Sequence, residues 1–135
     1  MLTVRMRPGA YFTARTAAQA IGEEIARNDT GFALRILARA LAELAEMTEP
    51  DDIADCLAAP PGTGDHRWDT LIAAAFGRAC QQLNIPAPRW TRAAPLAEPW
   101  FPVYNEVLED RYRRRSPAEF AAVNVWLDAS ALIVV

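Results

Sequence analysis

Acidic side chains are concentrated in one stretch of the sequence, where they could offer negative charge to a binding partner. Eight acids lie between Glu43 and Asp69, against Arg67 as the single basic residue. Such a run could mimic phosphate in the basic groove of an enzyme and steer a fast association, or it could be a solvated helix end and loop. The candidate partner-binding carboxylates are Glu43, Glu46, Glu49, Asp51, Asp52 and Asp55.

The second concentration of charge is basic and lies at Arg111, Arg113, Arg114 and Arg115. The planar guanidinium binds carboxylate or phosphate in a bidentate way, so this cluster could grip a phosphate or an acidic partner. Cations near a helix C-terminus are also favoured by the helix dipole, and the cluster is then a solvated helix end. Both interpretations stay open.

Residues for catalysis or metal binding are sparse. His66 lies beside Asp65 with no nucleophile or second ligand at useful spacing, and Cys56 and Cys80 lack zinc-ligand neighbours. The Asp-Ala-Ser-Ala-Leu stretch at Asp128 resembles the opening of a PIN-type ribonuclease, but converging carboxylates do not follow, so we interpret Asp128 as a turn or cap residue. We expect no enzymatic activity, no cofactor and no metal.

Length and composition favour one soluble domain. A chain of 135 residues can bury roughly two-thirds of its unfolded surface without disulfides or metals. Its net charge of -3 gives no global attraction to nucleic acid or to anionic membranes. The N-terminus does not match a signal peptide and no long apolar window occurs, so we predict a cytoplasmic protein without membrane contact, with buried, reduced cysteines.

The central element that must position these groups is a helix from about residue 66 to 83. Its apolar residues recur every three or four positions, Asp65 is placed as its N-cap, and Asn84 with the two prolines that follow predicts its end. The stripe that we expect in the core consists of Trp68, Ile72, Ala75, Phe76, Ala79 and Leu83.

Two helices, at about 13–27 and 31–47, should form an antiparallel hairpin packed on the central helix. The second is the more apolar, with Leu34, Leu37, Leu41 and Leu44 in one stripe that Phe32 and Ile36 widen. A DNA-reading helix-turn-helix is disfavoured because this helix offers few polar side chains to base edges. Before the hairpin, the alternation of Leu2, Val4 and Met6 with polar residues predicts a short strand.

Shorter elements complete the prediction. Asp51 or Asp52 should cap a short helix, residues 60–64 form a linker, and the proline-rich stretch 86–102 should wrap the helices with Trp90 and Trp100. A further helix is expected over 101–112. The sequence Ser116-Pro117-Ala118-Glu119 matches a capping box that starts a last helix to about Val123.

The predicted fold class is therefore all-α, with at most a minor β element. We expect one compact helical domain over residues 1–135, with an N-terminal sub-part of 1–59 and a second of 65–135. Neither sub-part alone has an ample core, so the linker should join two parts of one domain.

Four motifs occur in order from Gly64 to Leu132: GDHRWDTLIAAAF, IPAPRWT, PWF and SPAEFAAVNVWLDASAL. This order resembles the C-terminal part of small actinobacterial proteins described as regulators or antitoxins. Family members often carry an N-terminal DNA-binding domain, for which this sequence has no clear counterpart. The resemblance implies a non-enzymatic protein-binding module that neutralises a neighbouring toxin acting on nucleic acid or nucleotides. The alternative is a nucleic-acid-binding regulator that uses Arg111–Arg115.

Overall fold

The structure is a computed structural model that describes residues 11–133, and within them the backbone is helical without a β-strand. The prediction of an all-α fold with an N-terminal helical hairpin is confirmed. The strand predicted at Leu2, Val4 and Met6 lies outside the described residues. The six helices are α1 (Ala14–Ala26), α2 (Thr30–Glu46), α3 (Pro50–Cys56), α4 (His66–Leu83), α5 (Glu109–Arg115) and α6 (Ala118–Ala121), with short 3-10 turns at Arg89–Thr91, Glu106–Leu108 and Ala129–Leu132.

Side-chain caps set the bounds of the hairpin. Thr13 and Thr16 form a reciprocal capping box at the start of α1. Asn28 adopts the left-handed conformation (φ 60°) between the helices, and the Asp29 carboxylate accepts a hydrogen bond from the amide of Phe32 (3.0 Å). The helices α1 and α2 pack against each other, and both contact α4. Most of the predicted α2 stripe is buried, but Leu41 is half-buried and Phe32 is exposed.

The central helix α4 is buried over a wider arc than the predicted stripe. Trp68, Ile72 and Phe76 are in the core as expected, and Leu71 and Thr70 are buried beside them. The Thr70 hydroxyl is satisfied by donating to the backbone oxygen of His66 (3.0 Å), which lowers the cost of burying it. Further buried residues of this helix are Ala73, Ala74, Ala75 and Cys80, whereas Ala79 and Leu83 are half-buried.

The two ends of α4 follow the sequence prediction. The Asp65 carboxylate accepts hydrogen bonds from the amides of Arg67 (2.9 Å) and Trp68 (3.3 Å). At the other end Asn84 has φ 58°, and the Ile85 amide donates to the Cys80 carbonyl (3.0 Å), which closes the helix before the prolines.

Two helical glycines allow neighbouring segments to approach closely. A Cβ on Gly22 of α1 would lie 3.0 Å from the Thr63 carbonyl oxygen in the linker, and one on Gly77 of α4 would lie 3.3 Å from the Thr91 Cβ. Gly22, which lowers helix propensity, therefore permits the linker to lie against α1.

The stretch 86–102 wraps the helices, as we predicted from its prolines and tryptophans. The Trp90 ring lies 5.6 Å from Phe76, and Trp100 makes an edge-on contact with Trp68 at the same centroid distance. The Trp100 amide donates to the Asn124 carbonyl (3.0 Å), and the Trp126 amide donates back to the Trp100 carbonyl (2.9 Å). This pairing joins the wrap to the last part of the chain.

Three local predictions were wrong. Helix α3 begins with Glu49 as N-cap and Pro50 in its first turn, so Asp51 and Asp52 are first-turn acids and not caps. The helix predicted from residue 101 begins only at Glu109, after a 3-10 turn over Glu106–Leu108 that Asn105 caps. Ser116 does not cap α6, because its hydroxyl donates to the Tyr112 carbonyl (2.6 Å) and accepts from the Leu127 amide (2.7 Å).

One cluster of buried residues extends from α1 to the last turn of the described chain. It includes Ala14 and Ile21 of α1, Leu37 of α2, Phe76 of α4 and Leu127. Both predicted sub-parts therefore contribute to a shared core, which fixes the positions of the charged segments on its surface.

Candidate protein-interaction surfaces

Glu43 differs from the other acids of the run because its side chain is largely buried. Its side chain is only 13% exposed, and one carboxylate oxygen accepts a hydrogen bond from the Phe12 amide (2.6 Å). The other oxygen lies 3.9 Å from the Arg39 guanidinium. Because these contacts hold the segment before α1 against α2, Glu43 serves the fold and presents little charge to solvent.

The other five candidate carboxylates are exposed and lie within residues 46–55. Glu46 is the last residue of α2, Glu49 occupies the N-cap position of α3 without a side-chain hydrogen bond, and α3 carries the remaining three. We call Glu46, Glu49, Asp51, Asp52 and Asp55 the acidic edge. Its one ion pair with a described residue joins Asp55 to Arg15 at 3.9 Å, and the two side chains are 68% and 46% exposed. Acids in the first turn of α3 stabilise it through the helix dipole, yet their charges remain available at the surface.

The basic cluster of Arg111, Arg113, Arg114 and Arg115 lies on α5, largely at its C-terminal end. Arg115 and Arg111 lie 3.3 Å and 3.9 Å from one carboxylate oxygen of Asp128. Asp128 also caps the 3-10 turn that follows it by accepting from the Ser130 amide (3.0 Å). The interpretation of Asp128 as a cap residue is confirmed, and its second contact ties α5 to the end of the described chain.

Arg113 is also engaged within the chain. It pairs with Glu109 at 3.4 Å, and its guanidinium lies over the rings of Phe101 (5.3 Å) and Trp126 (5.1 Å). Among the described residues Arg114 alone of the four has no ion-pair partner. Three of the four guanidiniums therefore already face a carboxylate of the same chain, two of them sharing Asp128.

The cap and the ion pairs at Asp128 can be separated experimentally. Hydrogen bonds from the amide and then the side chain of Ser130, followed by the charges of Arg115 and Arg111, hold the pKa of Asp128 below its usual 3.8. Ionised Asp128 therefore stabilises the fold above pH 3.8, and this stabilisation is lost as the pH falls through the lowered pKa. At pH 7 we expect Asp128→Ala to cost about 1 kcal/mol, and Asp128→Asn, which keeps a cap, to cost less.

Thermal melts of the three proteins from pH 7 into the acid range measure both effects. The difference between the parent and Asp128→Asn should shrink as the pH falls, because the parent then loses the same charge. Equal melting temperatures of all three proteins at pH 7 would contradict this role of Asp128.

An exposed apolar feature was missed by the sequence prediction. Val107 is 88% exposed and Tyr104 60% exposed, with Val103 beside them on the segment that precedes α5. We call Val103, Tyr104 and Val107 the apolar knuckle. The helix predicted over 101–112 included Tyr104 and Val107 among its apolar residues. The cap at Asn105, whose side chain accepts from the Val107 amide (2.9 Å), was the signal that could have shown the later helix start.

The isolated His and Cys residues occupy ordinary positions. His66 is exposed in the first turn of α4, whereas Cys56 and Cys80 are free and buried, as predicted. Burial raises the pKa of Cys56 to about 11 and also raises that of Cys80, so both thiols are protonated at neutral pH. Residues 11–133 contain no group of three or more His, Cys, Asp or Glu side chains placed to hold a metal ion.

Among the described helices, none has the length and apolar character needed to cross a membrane. Comparisons of the chain with protein-family models, with curated proteins and with solved structures gave no match.

Proposed function

We propose that this chain is a non-enzymatic protein-binding module that acts in the cytoplasm by neutralising a partner enzyme, in the manner of an antitoxin. The acidic edge carries the proposal, because five exposed carboxylates lie there with a single long ion pair among the described residues. Enzymes that handle nucleic acid or nucleotides receive phosphate in basic grooves. A surface of this charge is complementary to such a groove and would speed association with it.

The apolar knuckle supports a protein partner in particular. Aromatic and aliphatic side chains that stay in water on an ordered segment are typical of contact residues, since burying them against another protein gains hydrophobic free energy. Tyr104 also brings a hydroxyl, which lies 3.3 Å from a carboxylate oxygen of Glu109. The knuckle would add binding energy, and the acidic edge would determine which class of enzyme is attracted.

The alternative is a nucleic-acid-binding regulator that uses the basic cluster. The intramolecular contacts of Arg111, Arg113 and Arg115 weigh against it, because a phosphate would have to compete with Asp128 and Glu109. If this function were correct, binding to nucleic acid would weaken steeply with added salt. The triple variant Arg113→Ala/Arg114→Ala/Arg115→Ala would then lose that binding.

Co-expression with the product of the adjacent gene tests the proposal. We expect the two proteins to co-purify, and the variant Glu46→Lys/Asp51→Lys/Asp52→Lys to weaken the complex at least tenfold, mainly by slowing association. Binding rates at two salt concentrations, measured by surface plasmon resonance, would show the electrostatic part directly.

The matched control reverses three exposed acids elsewhere, Glu23→Lys/Glu98→Lys/Asp110→Lys, and so makes the same change in net charge. It should leave the complex nearly intact. Circular dichroism of both variants checks that they remain helical. Failure to form any complex would remove the antitoxin assignment, and a complex equally sensitive to both reversals would rule out the acidic edge as its contact surface.

A further inference from the structure

A groove of about 560 Å³ lies on the α1–α2 hairpin, beside the end of the described chain. It shares no residue with the acidic edge, the basic cluster or the apolar knuckle. Its apolar surface includes Phe32, which is 44% exposed, Ile36 and Ile133, which is 64% exposed. Its size falls within the range of about 300–1,000 Å³ that is usual for small-molecule sites.

Two guanidiniums border this groove on the α2 side. Arg35 lies over the Phe32 ring at 5.4 Å and has no ion-pair partner among the described residues. Arg39 lies 3.9 Å from Glu43, whose other oxygen is held by the Phe12 amide, so that Arg39 keeps donors for a further acceptor. Residues four apart on a helix lie on one face about 6 Å apart, so both arginines can reach one carboxylate.

The charged residue that lines the α1 side of the groove is Glu24. Its side chain is only 10% exposed, and its carboxylate is bound to Arg27 at 2.8 Å, which opposes its charge. The positive charge that can attract a ligand's carboxylate therefore lies on the α2 side of the groove, at Arg35 and Arg39.

We propose that this groove binds an amphiphilic monocarboxylate, a small molecule with one carboxylate on an aliphatic chain. The carboxylate accepts hydrogen bonds from Arg35 and Arg39, and the chain lies on Phe32 and Ile133, removing their exposed apolar surface from water. Residues 1–10 carry two arginines and no acid, so charge complementarity does not favour them as the occupant. This site does not depend on the proposed antitoxin function.

Isothermal titration with decanoate tests the site, using the full chain and ligand concentrations below micelle formation. We expect decanoate to bind one per chain, and butyrate and decyltrimethylammonium to bind at least tenfold more weakly, because each lacks one half of the required chemistry. The variant Arg35→Gln/Arg39→Gln should weaken decanoate at least tenfold. The control Arg89→Gln/Arg92→Gln, which changes two exposed arginines outside the groove, should not.

Methyl NMR of Ile36 and Ile133 locates the ligand, because both signals should shift on adding decanoate. The absence of binding, equal binding of decyltrimethylammonium, or full binding to Arg35→Gln/Arg39→Gln would each overturn the site. Two further results would assign the groove to another occupant and also overturn the proposal. One is decanoate binding only after deletion of residues 1–10, and the other is a dimer that Arg35→Gln/Arg39→Gln dissociates.

Discussion

Replacing Phe76 by alanine is expected to lower the free energy of unfolding by about 3–5 kcal/mol. Phe76 is fully buried at the middle of α4, and its ring packs on Trp90. The substitution removes apolar contacts and leaves a cavity that the surrounding helices cannot fill, because α4 is held at both ends by its caps. No other single side-chain truncation that we predict should cost more.

Urea denaturation followed by circular dichroism measures this cost. Val107→Ala is the matched control, since a side chain that is 88% exposed contributes little to the folded state and its loss should change stability by less than about 0.5 kcal/mol. Phe76→Leu should lie between the two. If Phe76→Ala and Val107→Ala denatured at the same urea concentration, the central position of α4 in the core would be wrong.

The position of Phe76 could be predicted because helical periodicity is a local property. The repeat of apolar residues from Trp68 onward depends only on 3.6 residues per turn, and the caps at Asp65 and Asn84 lie within the same short segment. The hairpin was predictable for the same reason. Thr13 and Asp29 cap its helices through bonds to residues three positions away.

Ser116 shows where local inference fails. Its sequence context matches a capping box, yet its hydroxyl donates to the Tyr112 carbonyl and accepts from the Leu127 amide. Glu119, the other half of the expected box, lies 3.7 Å from Arg78 of α4. Tyr112 is a local partner, but Leu127 and Arg78 become available only once the chain has folded back on itself, so a motif of four residues could not reveal them.

The candidate surfaces also combine features that the local sequence predicts with features that depend on contacts between distant residues. The exposure of the acidic edge follows from its sequence, because Pro50 and the acids after it begin a short surface helix. The burial of Glu43 does not, since it depends on the Phe12 amide, 31 positions away. The pairing of the basic cluster with Asp128 likewise joins segments distant in sequence. A concentration of charge can thus be recognised in a sequence. The folded structure is needed to determine which of those charges remain unpaired and available to a partner.

Replacing Trp90 by alanine is expected to cost about 3 kcal/mol, the second largest effect. Its ring lies 5.6 Å from Phe76, and its indole Nε1–H donates to the Leu57 carbonyl (2.8 Å). Leu57 is the C-cap of α3, where a carbonyl without a helical partner needs a donor. Trp90 therefore joins the proline-rich wrap to both α4 and the end of α3.

Trp90→Phe separates the two contributions, because phenylalanine keeps most of the ring packing and loses the donor. We expect it to cost about 1–2 kcal/mol, the penalty for leaving the Leu57 carbonyl less well satisfied, and the difference from Trp90→Ala to report the ring. The double variant Phe76→Ala/Trp90→Ala should then cost less than the sum of the two single variants, by about 0.5–1.5 kcal/mol, since either truncation alone already abolishes the contact between the rings. Strict additivity in urea denaturation would show that the contact between the Phe76 and Trp90 rings adds nothing to the stability of the fold.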